Sequence, residues 1–187
     1  MNVVLWYDIF KIGGDFVHII ELTKDYAPLY RELRLQGLQE NPTSFGASFE
    51  EESELPLSNF EEKILHPHRI TFGAFESDEL LSILTLEKSN FKKMSHISTL
   101  SGMYVHKAFR GQGISKPIMA SAIMRAKELK CEQIHLSVNI ENKIAKELYT
   151  SFGFEIIGME KEIIKMTNGK YIDEYRMALY FDEWHEV

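Results

Sequence analysis

The chain has 187 residues, of which 44% are hydrophobic and 26% are charged, and its formal net charge is −7. This length and composition predict one globular domain with a sizeable core. Its single cysteine, Cys131, excludes an intramolecular disulfide framework and any site of four thiolates. The sequence has no long apolar run and no signal-peptide pattern, and together with the single cysteine this favours a cytoplasmic protein.

Hydrophobic periodicity and turn signals divide the chain into strands and helices. In chain order they are a strand over 16–22, a helix from Asp25 to Asn41-Pro42, a short helix from Ser58 to His66-Pro67, a hairpin of strands 69–76 and 79–87, a strand over 97–106, a helix over 114–129, a strand over 133–138, a helix over 144–152 and a second hairpin of strands 154–165 and 171–181.

Two of these helices carry start signals. Asp25 is placed to cap the first, with Pro28 in its first turn, where a missing N–H costs nothing. Ser58 and Glu61 match a capping box for the second. The expected apolar face of that second helix comprises Leu57, Phe60 and Ile64.

The order of the elements predicts a mixed sheet. The strand, helix and strand over 97–138 form a parallel pair with a right-handed crossover, whereas the two hairpins place antiparallel strands side by side. The chain has neither an internal repeat nor a linker long enough to divide it. We therefore expect a single α/β domain with a mixed, mostly antiparallel, twisted sheet flanked by helices.

The first 16 residues allow two interpretations. In one, residues 1–16 are an N-terminal extension that the native start does not include, because Ile12-Gly13-Gly14-Asp15 can be encoded by a ribosome-binding sequence and Val17 by a GTG start codon. In the other, Val3 to Phe10 adds an edge strand. The first interpretation makes 17–182 the domain.

Charge is unevenly distributed along the chain. Residues 107–146 hold eight basic and three acidic side chains, whereas residues 40–63 hold seven glutamates and one lysine. Each cluster alone fits an ordinary solvated surface; together they suggest an anionic ligand on one side and a cationic ligand on the other. The net acidity argues against a nucleic-acid partner, and a membrane partner is not expected.

A glycine-rich turn joins the strand over 97–106 to the helix that follows. It comprises Arg110, Gly111, Gln112, Gly113, Ile114 and Ser115. Glycines let the backbone approach an anion, and the free N–H groups at the start of a helix bind phosphate. Gly-x-Gly also occurs in plain turns. The turn lacks the Walker Lys-Ser/Thr, and Lys116 stands where a dinucleotide fingerprint needs its third glycine.

These residues resemble the GNAT superfamily of N-acetyltransferases, which binds acetyl-CoA through the pattern Arg/Gln-x-x-Gly-x-Gly/Ala. The chain has Arg110, Gly113 and Ser115 at these positions, so the last departs from the pattern. Upstream, Gly102-Met103-Tyr104-Val105 is similar to the splayed strand of that family. The resemblance assigns backbone contacts with pantetheine to Met103 and Val105.

A second signature of the superfamily lies further along the chain. Asn142, Ala145, Leu148-Tyr149 and Gly153-Phe154 match its spacing. Asn142 and Tyr149 are two helical turns apart and share one face. The resemblance implies that Asn142 holds the CoA arm and that Tyr149 protonates the departing thiolate. By spacing alone, Tyr149 also fits a core stripe.

The resemblance spans roughly Val17 to Phe181 and implies the GNAT (acyl-CoA N-acyltransferase) fold. It implies transfer of an acetyl group from acetyl-CoA, without a metal, to a primary amine, with a backbone N–H near Met103 or Tyr104 stabilising the oxyanion. The glutamates at 50–52 favour a small cationic molecule or a peptide as acceptor. Glu87, His96, His135 and a water chain are the alternatives for the general base, and the sequence does not decide among them. The histidines at 66 and 68 lack a third ligand with the spacing of a metal site.

Two other functions remain open. The first is a catalytically silent acyl-CoA sensor, in which Tyr149→Phe changes nothing measurable; the second is an interaction protein without affinity for CoA. A homodimer is one option for the assembly state.

Overall fold

A computed structural model describes residues 6–12 and 15–181. In this part of the chain, eight strands form one sheet and five α-helices pack on it. The strands are β1 (Trp6–Ile12), β2 (Asp15–Glu21), β3 (Arg69–Glu76), β4 (Glu79–Lys88), β5 (Ile97–Val105), β6 (Gln133–Asn139), β7 (Glu155–Lys165) and β8 (Tyr171–Tyr180), and the helices are α1 (Ala27–Glu40), α2 (Phe49–Ser53), α3 (Leu57–Leu65), α4 (Ser115–Glu128) and α5 (Lys143–Ser151).

The sheet has the predicted mixed character. Its strand order is β1-β2-β3-β4-β5-β6-β8-β7. Among the described strands, β5 and β6 are the parallel pair and all other neighbours are antiparallel. Helix α4 makes the crossover between β5 and β6, and both predicted hairpins are present. The prediction of a mixed, mostly antiparallel α/β sheet is therefore confirmed.

Helices cover both faces of the sheet, so its central strands are buried on both sides. Successive strand residues point to opposite faces: Leu84 packs with Ile118 of α4, while Ile83 packs with Tyr30 of α1 and Phe60 of α3. The two cores hold α4 and α5 on one side of the sheet and α1 and α3 on the other. The middle strands of the sheet therefore lie between two groups of helices.

The predicted helix starts were partly wrong. Helix α1 begins at Ala27 with Tyr26 at its N-cap, so Asp25 lies in the preceding 3₁₀ turn and Pro28 lies in the first turn as predicted. Pro56, whose backbone is extended, is the N-cap of α3. A proline is tolerated at the start of a helix because its missing N–H would have no partner there. Ser58 therefore lies inside the first turn of α3.

The apolar face of α3 is narrower than predicted. Phe60 and Ile64 are buried, as expected, whereas Leu57 is exposed. A capping box does occur, but earlier in the chain: Ser48 accepts from the Glu51 N–H, and the Glu51 carboxylate accepts from the Ser48 N–H. It begins α2, a helix that the sequence analysis missed.

The N-terminal segment contributes an edge strand, β1, which pairs antiparallel with β2. The expected edge strand at 3–10 thus lies partly at Trp6–Ile12, and residues 3–5 of it fall outside the described part. Whether residues 1–16 belong to the native chain stays a prediction, as does the domain boundary 17–182.

Candidate active site

The central feature of the site is a fork between the two parallel strands. Their pairing runs from Ile97 and Gln133 to Thr99 and His135, and beyond that point the strands part. The resulting cavity of about 470 Å³ is lined by the ends of both strands, the turn before α4 and the first two turns of α5. The sheet therefore opens where the resemblance implied a splayed strand.

A bulge in β5 marks the inner end of this cavity. Ile83 pairs with Tyr104 and Thr85 pairs with Ser101, so Gly102 and Met103 together oppose a single residue of β4. Gly102 has a φ of 66°, a conformation that a side chain disfavours. A bulge interrupts the ladder and re-aims the strand, and Gly102, Met103 and Val105 all line the cavity.

The glycine turn has the geometry of an anion-binding loop. Gly111 and Gly113 have φ values of 78° and 90°, and a Cβ at either position would meet open space. Helix α4 starts directly behind them at Ser115, with Ile114 at its N-cap. Its first N–H groups therefore point toward the cavity mouth. Of the predicted cofactor residues, Arg110, Gly111, Gly113, Ile114 and Ser115 line the cavity.

The remaining member of the turn, Gln112, is used locally, because its side-chain amide donates to the Ala108 carbonyl at 3.4 Å. Arg110 is also held by the protein. Its Nε donates to the Val105 carbonyl at 3.0 Å, and its Nη2 pairs with Glu40 at 2.9 Å. The guanidinium of Arg110, which the resemblance places in the acetyl-CoA turn, is thus paired with the carboxylate of Glu40.

Tyr104 belongs to the same contact as Arg110. Its hydroxyl donates to Glu40 at 2.9 Å, and the Arg110 guanidinium lies 5.2 Å from its ring centre. Burial, and then the hydrogen bond and charge of Glu40, raise the pKa of Tyr104 to about 12. Arg110 and Tyr104 therefore brace the end of β5 against α1.

Helix α5 brings Asn142 and Tyr149 to the cavity, as their spacing predicted. The Asn142 side-chain oxygen accepts from the Ala145 N–H at 3.1 Å and caps the helix, which directs its amide nitrogen away from the helix. The Tyr149 hydroxyl lies 3.9 Å from Met103 Sδ, directly beside the bulge. Burial raises the pKa of Tyr149 to about 12, so the phenol stays protonated at neutral pH.

A second cavity of about 440 Å³ lies on the α1–α3 side of the sheet. It shares Phe45, Ser101, Gly102 and Ser137, among others, with the first cavity. The two cavities therefore meet at the β5 bulge. The sequence analysis did not identify this second compartment.

Its charged wall is an ion-pair network from α1, α2 and α3. Arg34 holds Glu52 with two hydrogen bonds of 3.2 and 2.9 Å, and Lys63 pairs with the same carboxylate at 3.0 Å. Burial acts to raise the pKa of Glu52, but hydrogen bonds and charges from Arg34 and Lys63 outweigh it and lower that pKa. Glu50 and Glu51 are exposed outside the cavity lining, so Glu52 is the member of this glutamate run that lines the second cavity, and the role of the run in the choice of acceptor stays a prediction.

A carboxylate that the sequence analysis missed, Glu174 of β8, also lines this second cavity. Burial and the charge of Glu160 raise its pKa, and Arg176 opposes them. No motif or spacing in the sequence singles this residue out.

The three side chains that the sequence suggested as general bases lie outside the linings of both cavities. Of the described residues that line the two cavities, none is Glu87, His96 or His135. Glu87 pairs with Arg69 at 2.7 Å, and His135 is hydrogen-bonded to the Gln133 side chain at 2.7 Å. Within residues 6–12 and 15–181, no group of three metal-ligating side chains is present, and no helix has the length and apolarity to cross a membrane.

Known proteins resemble the chain both in sequence and in fold. The model of the acetyltransferase (GNAT) family matches residues 29–154. The L-amino acid N-acetyltransferase AaaT of Escherichia coli (strain K12) is 30% identical over 101 residues, which are 54% of this chain and 61% of that protein. The [ribosomal protein bS18]-alanine N-acetyltransferase of Haemophilus ducreyi is 32% identical over 83 residues, 44% of this chain and 57% of that protein.

These matches span about three fifths of the length of the two relatives. A solved structure shares the fold: yncA of Salmonella typhimurium, determined with its cofactor acetyl-CoA, has a TM-score of 0.74 at 16% identity, covering 91% of this chain and 96% of that one. At that identity the likeness establishes the fold alone.

Proposed function

Because the chain belongs to the GNAT family of acetyltransferases, we propose that it transfers the acetyl group of acetyl-CoA to a primary amine of a small molecule or a peptide. One observation carries the proposal: two cavities meet at the β5 bulge, and the protonated hydroxyl of Tyr149 lies 3.9 Å from Sδ of Met103, the second residue of that bulge. The two relatives support the amine class, since one is named for L-amino acids and the other for a protein alanine.

In this proposal the fork holds acetyl-CoA. The turn from Gly111 to Ser115, with the start of α4 behind it, binds the pyrophosphate through backbone N–H groups. Met103 and Val105 contact the pantetheine arm through their backbone, although the Val105 carbonyl already accepts from Arg110. The Asn142 amide nitrogen, which the capping bond leaves available, donates to the same arm.

The second cavity holds the amine. Glu174 accepts a proton from the ammonium group, and the amine nitrogen then attacks the thioester carbonyl carbon. The C–N bond forms, the C–S bond breaks, and the Tyr149 hydroxyl gives its proton to the thiolate. The nitrogen loses its second proton as the amide forms, and an equivalent proton returns to the Tyr149 phenolate, so that only the proton on Glu174 is left to pass to water. Backbone N–H groups at the bulge near Met103 stabilise the oxyanion of the tetrahedral intermediate. A base near neutrality needs a raised pKa, which supports Glu174 for this role.

A catalytically silent acyl-CoA sensor uses the same fork but needs no proton donor or base. The arrangement of Tyr149 at one cavity and Glu174 at the other favours an enzyme, because a sensor has no use for an acceptor cavity that opens onto the thioester position.

Thermal unfolding with and without acetyl-CoA tests the first half of the proposal. A concentration of about 100 times the dissociation constant adds about 2.7 kcal/mol, or about 5–11 °C, to the stability of a chain of this size. The Gly113→Ala variant should lose this shift, since its new methyl group occupies the anion position. Gly169→Ala is the matched control, because Gly169 also has a positive φ and open space but lies in the β7–β8 turn.

The second part of the proposal, transfer of the acetyl group to an amine, is tested by incubating the protein with acetyl-CoA and a panel of amines and detecting acetylated products by mass spectrometry. An acetyl-CoA shift without any acetylated product would support the sensor. No shift in the wild type would overturn both functions together.

A further inference from the structure

The second cavity points to a particular class of acceptor. Resting on the acetyl transfer proposed above, we infer that the acceptor carries a carboxylate next to its amine, as a free α-amino acid does, and that Arg34 binds this carboxylate. The inference comes from the charge and geometry of the cavity wall.

The wall of the second cavity carries more positive than negative charge. Its cations are Arg34, Lys63 and Arg69, and its carboxylates are Glu52 and Glu174. Arg69 is balanced from outside the lining by Glu87. Arg34 and Lys63, however, share the single carboxylate of Glu52, so this corner of the cavity keeps one positive charge.

Arg34 is fixed in a position to use that charge. Its Nε and Nη2 both donate hydrogen bonds to the Glu52 carboxylate, and the guanidinium lies 4.8 Å from the ring centre of Phe45. Its side chain is only 14% exposed. The remaining nitrogen, Nη1, points to the bulge, where it lies 3.7 Å from the position that a Cβ on Gly102 would occupy. A guanidinium held in this way binds a carboxylate at little cost in side-chain entropy.

The position of Nη1 also limits the shape of the acceptor. The bulge at Gly102 is where the two cavities meet, and thus where the amine must reach the thioester. A carboxylate bound at Nη1 leaves only a short distance between the anion and the attacking nitrogen. An α-amino acid meets this requirement, because a single carbon separates its carboxylate from its amine. A polyamine, by contrast, would bring a second cation against Arg34, which costs free energy.

The test compares acceptors that differ only in the carboxylate. The initial acetylation rate is measured for glycine and for each of the eighteen standard L-amino acids with a primary α-amine, and for the corresponding α-carboxamides, at up to about 10 mM. We expect kcat/KM to favour the acid over the amide by tenfold or more for the accepted side chains, a preference equivalent to about 1.4 kcal/mol. A peptide pair, Ala-Glu-amide and Ala-Gln-amide, distinguishes an α-carboxylate from a side-chain carboxylate; both peptides should be poor substrates.

The preference should depend on Arg34. Arg34→Gln should bring the acid-to-amide ratio close to one, chiefly by raising KM for the acid. Arg31→Gln is the matched control, since Arg31 lies one turn earlier on α1, donates to the Ser53 carbonyl at 3.0 Å and lies outside the cavity lining. It should change stability without changing the ratio. Because Arg34→Gln removes part of a buried ion-pair network, the wild-type ratio alone remains decisive should that variant not fold.

Each other outcome overturns the inference. These outcomes are amides acetylated as well as acids by the wild type, a ratio that Arg34→Gln leaves unchanged, and no acetylation of any amino acid while acetyl-CoA still stabilises the protein. The last leaves the acetyl-CoA part of the proposed function intact. Failure of the proposed function itself looks different, because neither stabilisation by acetyl-CoA nor acetylation of any amine would then be observed.

Discussion

Replacing Tyr149 by phenylalanine removes one hydroxyl and leaves the ring in its place. The ring is buried against Phe154, with a centroid distance of 6.0 Å, and the hydroxyl's contact is a weak one with Met103 Sδ at 3.9 Å. Its loss should therefore change the free energy of unfolding by less than about 1 kcal/mol. Loss of a general acid lowers kcat by about 10²–10⁴-fold, which is about 2.7–5.4 kcal/mol of transition-state stabilisation.

Steady-state kinetics and thermal unfolding, done on the same preparations, separate the two effects. KM for acetyl-CoA and the unfolding temperature should be close to wild type while kcat falls. Tyr180→Phe provides a matched control, since Tyr180 is an exposed tyrosine of β8 outside both cavity linings. A wild-type kcat in Tyr149→Phe would refute the reasoning, and the thiolate would then take its proton from another group.

The remaining predictions concern the other charged and polar groups of the site. Glu174→Gln should lower kcat and remove the rise in activity that occurs as the pH passes the raised pKa of this carboxyl, visible in a pH profile of kcat/KM. Glu52→Gln should destabilise the protein by about 3 kcal/mol, because Arg34 and Lys63 lose their shared carboxylate in a largely buried position; denaturant unfolding measures this. The pKa of Glu52 lies below its usual value of 4.5, so its contribution to wild-type stability is present above that pH and is lost as the pH falls through the lowered pKa. Asn142→Ala should cost about 1 kcal/mol of stability through the lost helix cap, whereas Asn142→Asp should keep the cap, lose the amide donor and raise KM for acetyl-CoA.

The sequence predicted those parts of the molecule that depend on neighbours along the chain. Strands and helices follow local periodicity, and the turn at Gly113 and the face shared by Asn142 and Tyr149 each depend on fixed spacings within one or two elements. Capping was less predictable, because Ser48 and Ser58 are both followed three residues later by a glutamate. Ser48 forms a capping box at the start of α2, whereas Ser58 does not, because α3 already begins after Pro56.

The acceptor cavity could not be predicted in the same way. Its charged wall joins Arg34, Glu52, Lys63 and Glu174 from three helices and a strand, and each of these is an ordinary surface type with no diagnostic spacing. The net charge along a segment does not show which of its carboxylates turns inward. Glu52 does so, and there it meets two cations instead of a ligand.

The bulge at Gly102 links the two halves of the site physically. The extra residue interrupts the ladder between β4 and β5, which resumes where Tyr104 pairs with Ile83, and Met103 lines the first cavity at this interruption. The same bulge needs a residue that tolerates a φ of 66°, and on its opposite side the Arg34 guanidinium lies within ordinary contact distance of the position that a Cβ on Gly102 would occupy. One local irregularity thus lies between the first cavity and a fixed positive charge. Under the proposed function, binding of the cofactor and selection of the acceptor would therefore both depend on Gly102 and Met103 of β5.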